Sequence, residues 1–138
     1  MSTYDEQREL RRYLWEQFPY LCTARELEVY KANLGKQKAV GAEPQGQAIF
    51  RRMFGDWERA DVAAELALGF DRFTDQVLER LTHEHRDLFF VHRCGQCGRI
   101  ARTPRACMCQ WCGHEWYEHR ERQDRIAARA IEQAKEAL

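Results

Sequence analysis

The sequence predicts a mainly α protein with one small β unit near its C-terminal end and a closing helix. Three observations predict it. Apolar residues recur at helical spacing between residues 4 and 83, punctuated by glycines and prolines. Four cysteines stand as two Cys-x-x-Cys pairs, Cys94/Cys97 and Cys109/Cys112, separated by eleven residues, with Gly98 and Gly113 directly after them. Residues 118–138 are charged and alanine-rich, with a narrow apolar stripe. The expected organisation is a helical domain over 1–87, a ribbon over 88–117 and a C-terminal helix over 118–138.

The first helix is expected over 4–18, on Leu10, Tyr13, Leu14, Trp15 and Phe18, and Pro19 stops it. Thr23 and Glu26 form a capping-box pattern for a second helix from Ala24 to about Leu34, ended by Gly35. Residues 35–46 hold three glycines and a proline and read as a loop. They lack the preceding strand and Gly-Lys-Ser/Thr ending of a phosphate loop. A short helix is expected over 47–54 on Ile49, Phe50, Met53 and Phe54, and another, capped by Asp56, through Leu68. Asp71 should cap a helix to about His83 that buries Phe73, Val77, Leu78 and Leu81. The spacing from Gly69 to Val77 is two residues too long for a DNA-reading helix-turn-helix, so packed helices are the expectation.

Asp87 to Arg93 is β-rich and is expected to pair with residues 113–117, with Trp111, Trp116 and Tyr117 covering the hairpin. The closing helix carries Ile126, Ala130, Ile131, Ala134 and Leu138 as its stripe.

The cysteine spacing points to metal. A Cys-x-x-Cys turn brings two thiolates onto one cation, and a following glycine can take the left-handed conformation that turns backbone N–H groups toward sulfur. Two such knuckles make a closed four-sulfur cage, the usual geometry of one structural zinc, with Cys94, Cys97, Cys109 and Cys112 as ligands. Iron in a rubredoxin-like cage would use the same sulfurs. Cys107 offers a substitute ligand with Cys109 or Cys112, although Gly113 favours the Cys109/Cys112 knuckle and leaves Cys107 as a strand residue. His92, His114 and His119 flank the cage and read as packing or surface groups before substitute ligands. Cys22 reads as a small buried hydrophobe.

Lys plus Arg and Asp plus Glu both number 22, so net charge argues for neither nucleic acid nor membrane as a partner. No run approaches the length of a membrane-spanning helix. Reduced cysteines and the lack of a secretion-signal pattern fit the cytoplasm. Charge is uneven, however. Residues 92–114 hold Arg93, Arg99, Arg102 and Arg105 and no acidic residue, a local charge of +4. Arg99, Arg102 and Arg105 fall near the hairpin tip, where arginine forks suit phosphates or acidic protein surfaces. No nucleophile–base pair, carboxylate dyad or cofactor fingerprint assembles from the sequence, so an enzyme is not expected.

Over residues 88–117 the pattern HRCGQCGRIARTPRACMCQWCGHEW resembles the C-terminal ribbon of small, largely uncharacterised bacterial cytoplasmic zinc-ribbon proteins. That resemblance implies metal on Cys94, Cys97, Cys109 and Cys112 and a binding role. The expected function is that of a non-catalytic zinc-binding interaction protein whose partner is another protein, a regulator or an immunity- or inhibitor-like factor. The alternative is a nucleic-acid-binding regulator that uses the basic hairpin.

Overall fold

The computed structural model describes residues 3–137 and is mainly helical. Among the described residues six α-helices follow in order: α1 Glu6–Gln17, α2 Ala24–Lys38, α3 Pro44–Phe54, α4 Ala60–Ala67, α5 Phe70–Glu84 and α6 Arg120–Glu136. The chain packs as two compact units, Met1–Leu21 with Leu78–Leu138, and Cys22–Val77. The unit that holds the four cysteines therefore also contains α1 and α6.

In that unit α1 starts at Asp5, whose side chain accepts from the Arg8 N–H, and it buries Tyr13, Leu14 and Trp15. Phe18 follows, fully buried, and its ring meets Phe89 edge-on with centroids 5.8 Å apart. The buried face of α6 is Gln123, Ala127 and Ala134, while Ile126 is exposed. The expected stripe keeps its direction but is narrower: Ala134 is buried, Ala130 and Ile131 are half-buried, and Ile126 at its edge is exposed. Leu138, the last member of that stripe, lies outside the described residues.

In the other unit the Thr23–Glu26 capping box forms as expected. Gly35 does not end α2, which runs on to Lys38. Gly35 is instead a contact point: a Cβ there would lie 2.6 Å from Cβ of Phe54, so α2 and α3 meet at a distance that only glycine permits. The expected loop shrinks accordingly to residues 39–43, and Pro44 opens α3 at the position where its missing N–H costs nothing. None of α3 is fully buried; Phe50 and Phe54 are half-buried, and Ile49 and Met53 are exposed. Asp56 accepts from the Glu58 N–H in a turn and does not cap α4, which begins one turn later after Arg59. Asp71 sits in the first turn of α5 and is not its cap. Phe73, Val77, Leu78 and Leu81 are buried as the periodicity predicts.

Among the described residues there is no β-strand. Two isolated antiparallel bridges, Arg93 with Ile100 and Met108 with Glu115, replace the pairing expected between 87–93 and 113–117. Each bridge closes on its own knuckle, because the Cys-x-x-Cys-Gly turn folds its two flanks directly onto each other.

Candidate metal centre

The four cysteines of the two knuckles converge. Their Sγ atoms all lie within 4.8 Å of one another, with Cys94 to Cys112 at 3.7 Å and Cys97 to Cys109 at 3.6 Å. A tetrahedron with metal–sulfur bonds of about 2.3 Å has edges of about 3.8 Å, whereas a disulfide would hold two sulfurs at about 2.0 Å. All six cysteines are free thiols. Four sulfurs so placed can hold one metal ion, and the set is consistent with zinc.

The backbone is built around these sulfurs. Gln96 N–H donates to Cys94 Sγ (3.4 Å), and the N–H groups of Trp111 (3.4 Å) and Cys112 (3.5 Å) donate to Cys109 Sγ. Gly98 and Gly113 adopt φ of 76° and 80°, as the knuckle requires. Burial pushes the Cys109 thiol up, but the Cys112 and Trp111 N–H groups and the neighbouring thiols pull it down further, to about 7. At Cys112 the His114 N–H pulls down, and desolvation together with the sulfurs of Cys94, Cys97 and Cys109 outweighs it, lifting the thiol to about 11. The bare set thus resists full ionisation near neutrality, and a divalent cation is what would let all four sulfurs carry charge.

The two knuckles repeat each other at an offset of fifteen residues, visible in their bridges, Arg93/Ile100 and Met108/Glu115. The hydrogen bonds match as well: Cys94 N–H to Arg99 O and Cys109 N–H to His114 O, then Ala101 N–H to His92 O and Trp116 N–H to Cys107 O. Cys107 is therefore the counterpart of His92, two residues before a knuckle and buried, and it does not join the four-sulfur cluster. His92 is not in the cluster either. Its Nε2–H donates to the Ala106 carbonyl (3.1 Å), its ring stands edge-on to Trp116, and burial holds its imidazole below the usual range. His114 packs against the same indole, and His119 lies 3.4 Å from the Glu118 carboxylate.

Residues outside the knuckles hold them in place. The Tyr4 hydroxyl accepts from Ile100 N–H (3.1 Å), and its ring meets Trp111 edge-on. Glu6 grips Arg93 through both oxygens (2.7 and 3.0 Å), which keeps the Glu6 carboxyl below its usual range. The buried Tyr13 hydroxyl donates to Phe90 O (2.7 Å) and accepts from His92 N–H (3.3 Å). Gln123 of α6 donates to Pro104 O (2.8 Å) at the far end of the intervening loop. None of these four was among the site residues expected from the sequence. The acidic start of α1 opposite a basic segment is the one signal that points to the Glu6–Arg93 pair.

Arg99, Arg102 and Arg105 are all exposed, and they do not converge on one hollow. Arg99 lies over the Tyr4 ring, Arg102 lines a hollow with Glu9, Arg12 and Glu16, and Arg105 lines another with Tyr20 and Lys135. Cys22 is buried in the other unit. His83 and Glu84 are exposed, and Glu84 pairs with Arg80 at 3.0 Å. Among the described residues no helix is long and apolar enough to cross a membrane. The chain matches no family model, no curated protein and no solved structure.

Proposed function

We propose that this chain is a non-catalytic interaction protein whose C-terminal unit is closed by one structural zinc ion on Cys94, Cys97, Cys109 and Cys112, in the manner of a zinc ribbon. The observation that carries the reading is the convergence of four cysteine sulfurs. Four sulfurs within 4.8 Å of one another, two of them receiving backbone N–H bonds, support this reading: four thiolates on one zinc would leave no coordination position for water or substrate. The metal then acts on folding, worth on the order of 10 kcal/mol in a stretch too small to gain that from apolar burial. Thiolates kept reduced for this purpose suit a cytoplasmic setting. Substitution with cobalt tests closure: a four-thiolate visible spectrum unchanged by added cyanide or imidazole is expected. A spectrum that shifts with added ligand would reveal an open position and reopen a catalytic role.

The partner in this reading is another protein. Its support lies in the Cys22–Val77 unit, where Val40, Ile49 and Met53 are exposed around the α2–α3 turn and α3. Lys36, Lys38 and Arg52 in the same segment have no ion-pair partner among the described residues. The competing reading, nucleic-acid binding through Arg99, Arg102 and Arg105, has their exposure in its favour. Crosslinked capture separates the two. A protein captured by the intact chain should be lost in the Ile49→Glu/Met53→Glu variant and kept when the three arginines become alanine. Salt-sensitive oligonucleotide binding that disappears with the arginines would replace this reading with the other.

A further inference from the structure

Beside the knuckles, a hollow of ≈ 300 Å³ is lined by His92, Arg93, His114, Trp116, His119 and Arg122, with Gly95, Gln123 and Ile126 completing it. Every ionisable side chain in that lining is an arginine or a histidine, and no carboxylate is among them. Three of these groups are already engaged, Arg93 with Glu6, His119 with Glu118 and His92 with the Ala106 carbonyl. Arg122 is not: it has neither an ion-pair nor a hydrogen-bond partner among the described residues. The Trp116 ring forms part of the wall, its own indole nitrogen enclosed and out of reach of a ligand in the hollow. The hollow sits at the start of α6, a helix of 17 residues whose N-cap, His119, makes no side-chain cap hydrogen bond.

We infer that this hollow is an anion site that takes a phosphate group, with Arg122 as the charged fork among a lining whose other ionisable groups are arginine and histidine. A free guanidinium offers planar paired donors matched to phosphate oxygens. The walls are fixed before the ligand arrives, because the Cys109 N–H to His114 O bond and the Glu6–Arg93 pair hold two sides. The volume admits a phosphate monoester rather than a large cofactor. The site is separate from Arg99, Arg102 and Arg105 and does not depend on which partner the protein has.

Titration of the intact protein with inorganic phosphate at constant ionic strength tests this, followed through the indole N–H resonance of Trp116 and the guanidinium resonance of Arg122. The expected result is a saturable shift of both, with Kd on the order of 1 mM. Arg122→Gln should weaken it about tenfold, while Arg129→Gln, an exposed change further along α6, leaves it unaltered. Because Arg122 is exposed, its variant retains the fold, which unchanged resonances elsewhere would verify. A parallel titration with a short single-stranded oligonucleotide separates the sources. Tighter oligonucleotide binding that competes with phosphate marks the group as part of a polymer, and equal or weaker binding marks a small metabolite. No saturable shift, or a shift indifferent to Arg122→Gln, overturns the inference.

Discussion

Gly98 and Gly113 hold φ of 76° and 80°, a region that a side chain disfavours by about 1–2 kcal/mol. No atom lies within 4 Å of a Cβ built on either, so the constraint is conformational and not steric. Alanine at either position should lower stability by about 1–2 kcal/mol and release metal at lower chelator concentration. Unchanged retention would contradict the knuckle geometry. Tyr13→Phe removes a donor to Phe90 O and leaves the His92 N–H without an acceptor, and denaturant titration should show a loss of about 1–3 kcal/mol. Burial pushes the Tyr13 phenol up to about 12, against the opposing pull of the His92 N–H. The unfolded chain, with a value near about 10, ionises first. The Tyr13 contribution is therefore complete below about pH 10 and is lost as pH rises toward 12. The phenylalanine variant should show a shallower alkaline decline. The cysteines are legible in the sequence because a knuckle is local, four residues and a glycine. The Tyr13 hydroxyl is not, because its partners lie 77 and 79 residues away.

Glycine is ambiguous at the scale of elements, since it ends helices and also lets them touch. Gly35 looks like a terminator in the sequence and proves to be a contact against Phe54. Gly35→Ala should gain about 1 kcal/mol of helix propensity and lose about 1–3 kcal/mol to overpacking, a net fall in the unfolding midpoint. A rise would mean that α2 and α3 part without cost. The boundary of α3 is misjudged from sequence for a related reason. Pro44 is counted with the loop, whereas at the first position of a helix it is favourable. Helical periodicity gives the faces of α1 and α5 correctly because they bury large side chains. It gives the direction of the α6 face but overstates its width, because Gln123, Ala127 and Ala134 pack while Ile126 at the edge is exposed. The pairing around the cysteines is the least legible feature, because each knuckle pairs only with itself through one isolated bridge.

Across the whole molecule, the knuckles are joined to α1 and α6 by Tyr4, Glu6, Tyr13 and Gln123, so metal removal should be felt beyond residues 88–117. Chelation at neutral pH should abolish the near-UV signal of Trp111 and Trp116 and reduce helicity. Acidification should do the same, because metal binding requires thiolates and protons compete for them.

The central claim is that four cysteines and no others hold one structural zinc. Elemental analysis of the intact protein and of Cys→Ser variants at 22, 94, 97, 107, 109 and 112 tests it most directly. The account predicts one zinc per chain in the intact protein. It predicts that zinc is lost or strongly weakened in the variants of Cys94, Cys97, Cys109 and Cys112, and kept in those of Cys22 and Cys107. Iron in place of zinc, full occupancy after any of the four changes, or loss at Cys107 would contradict it.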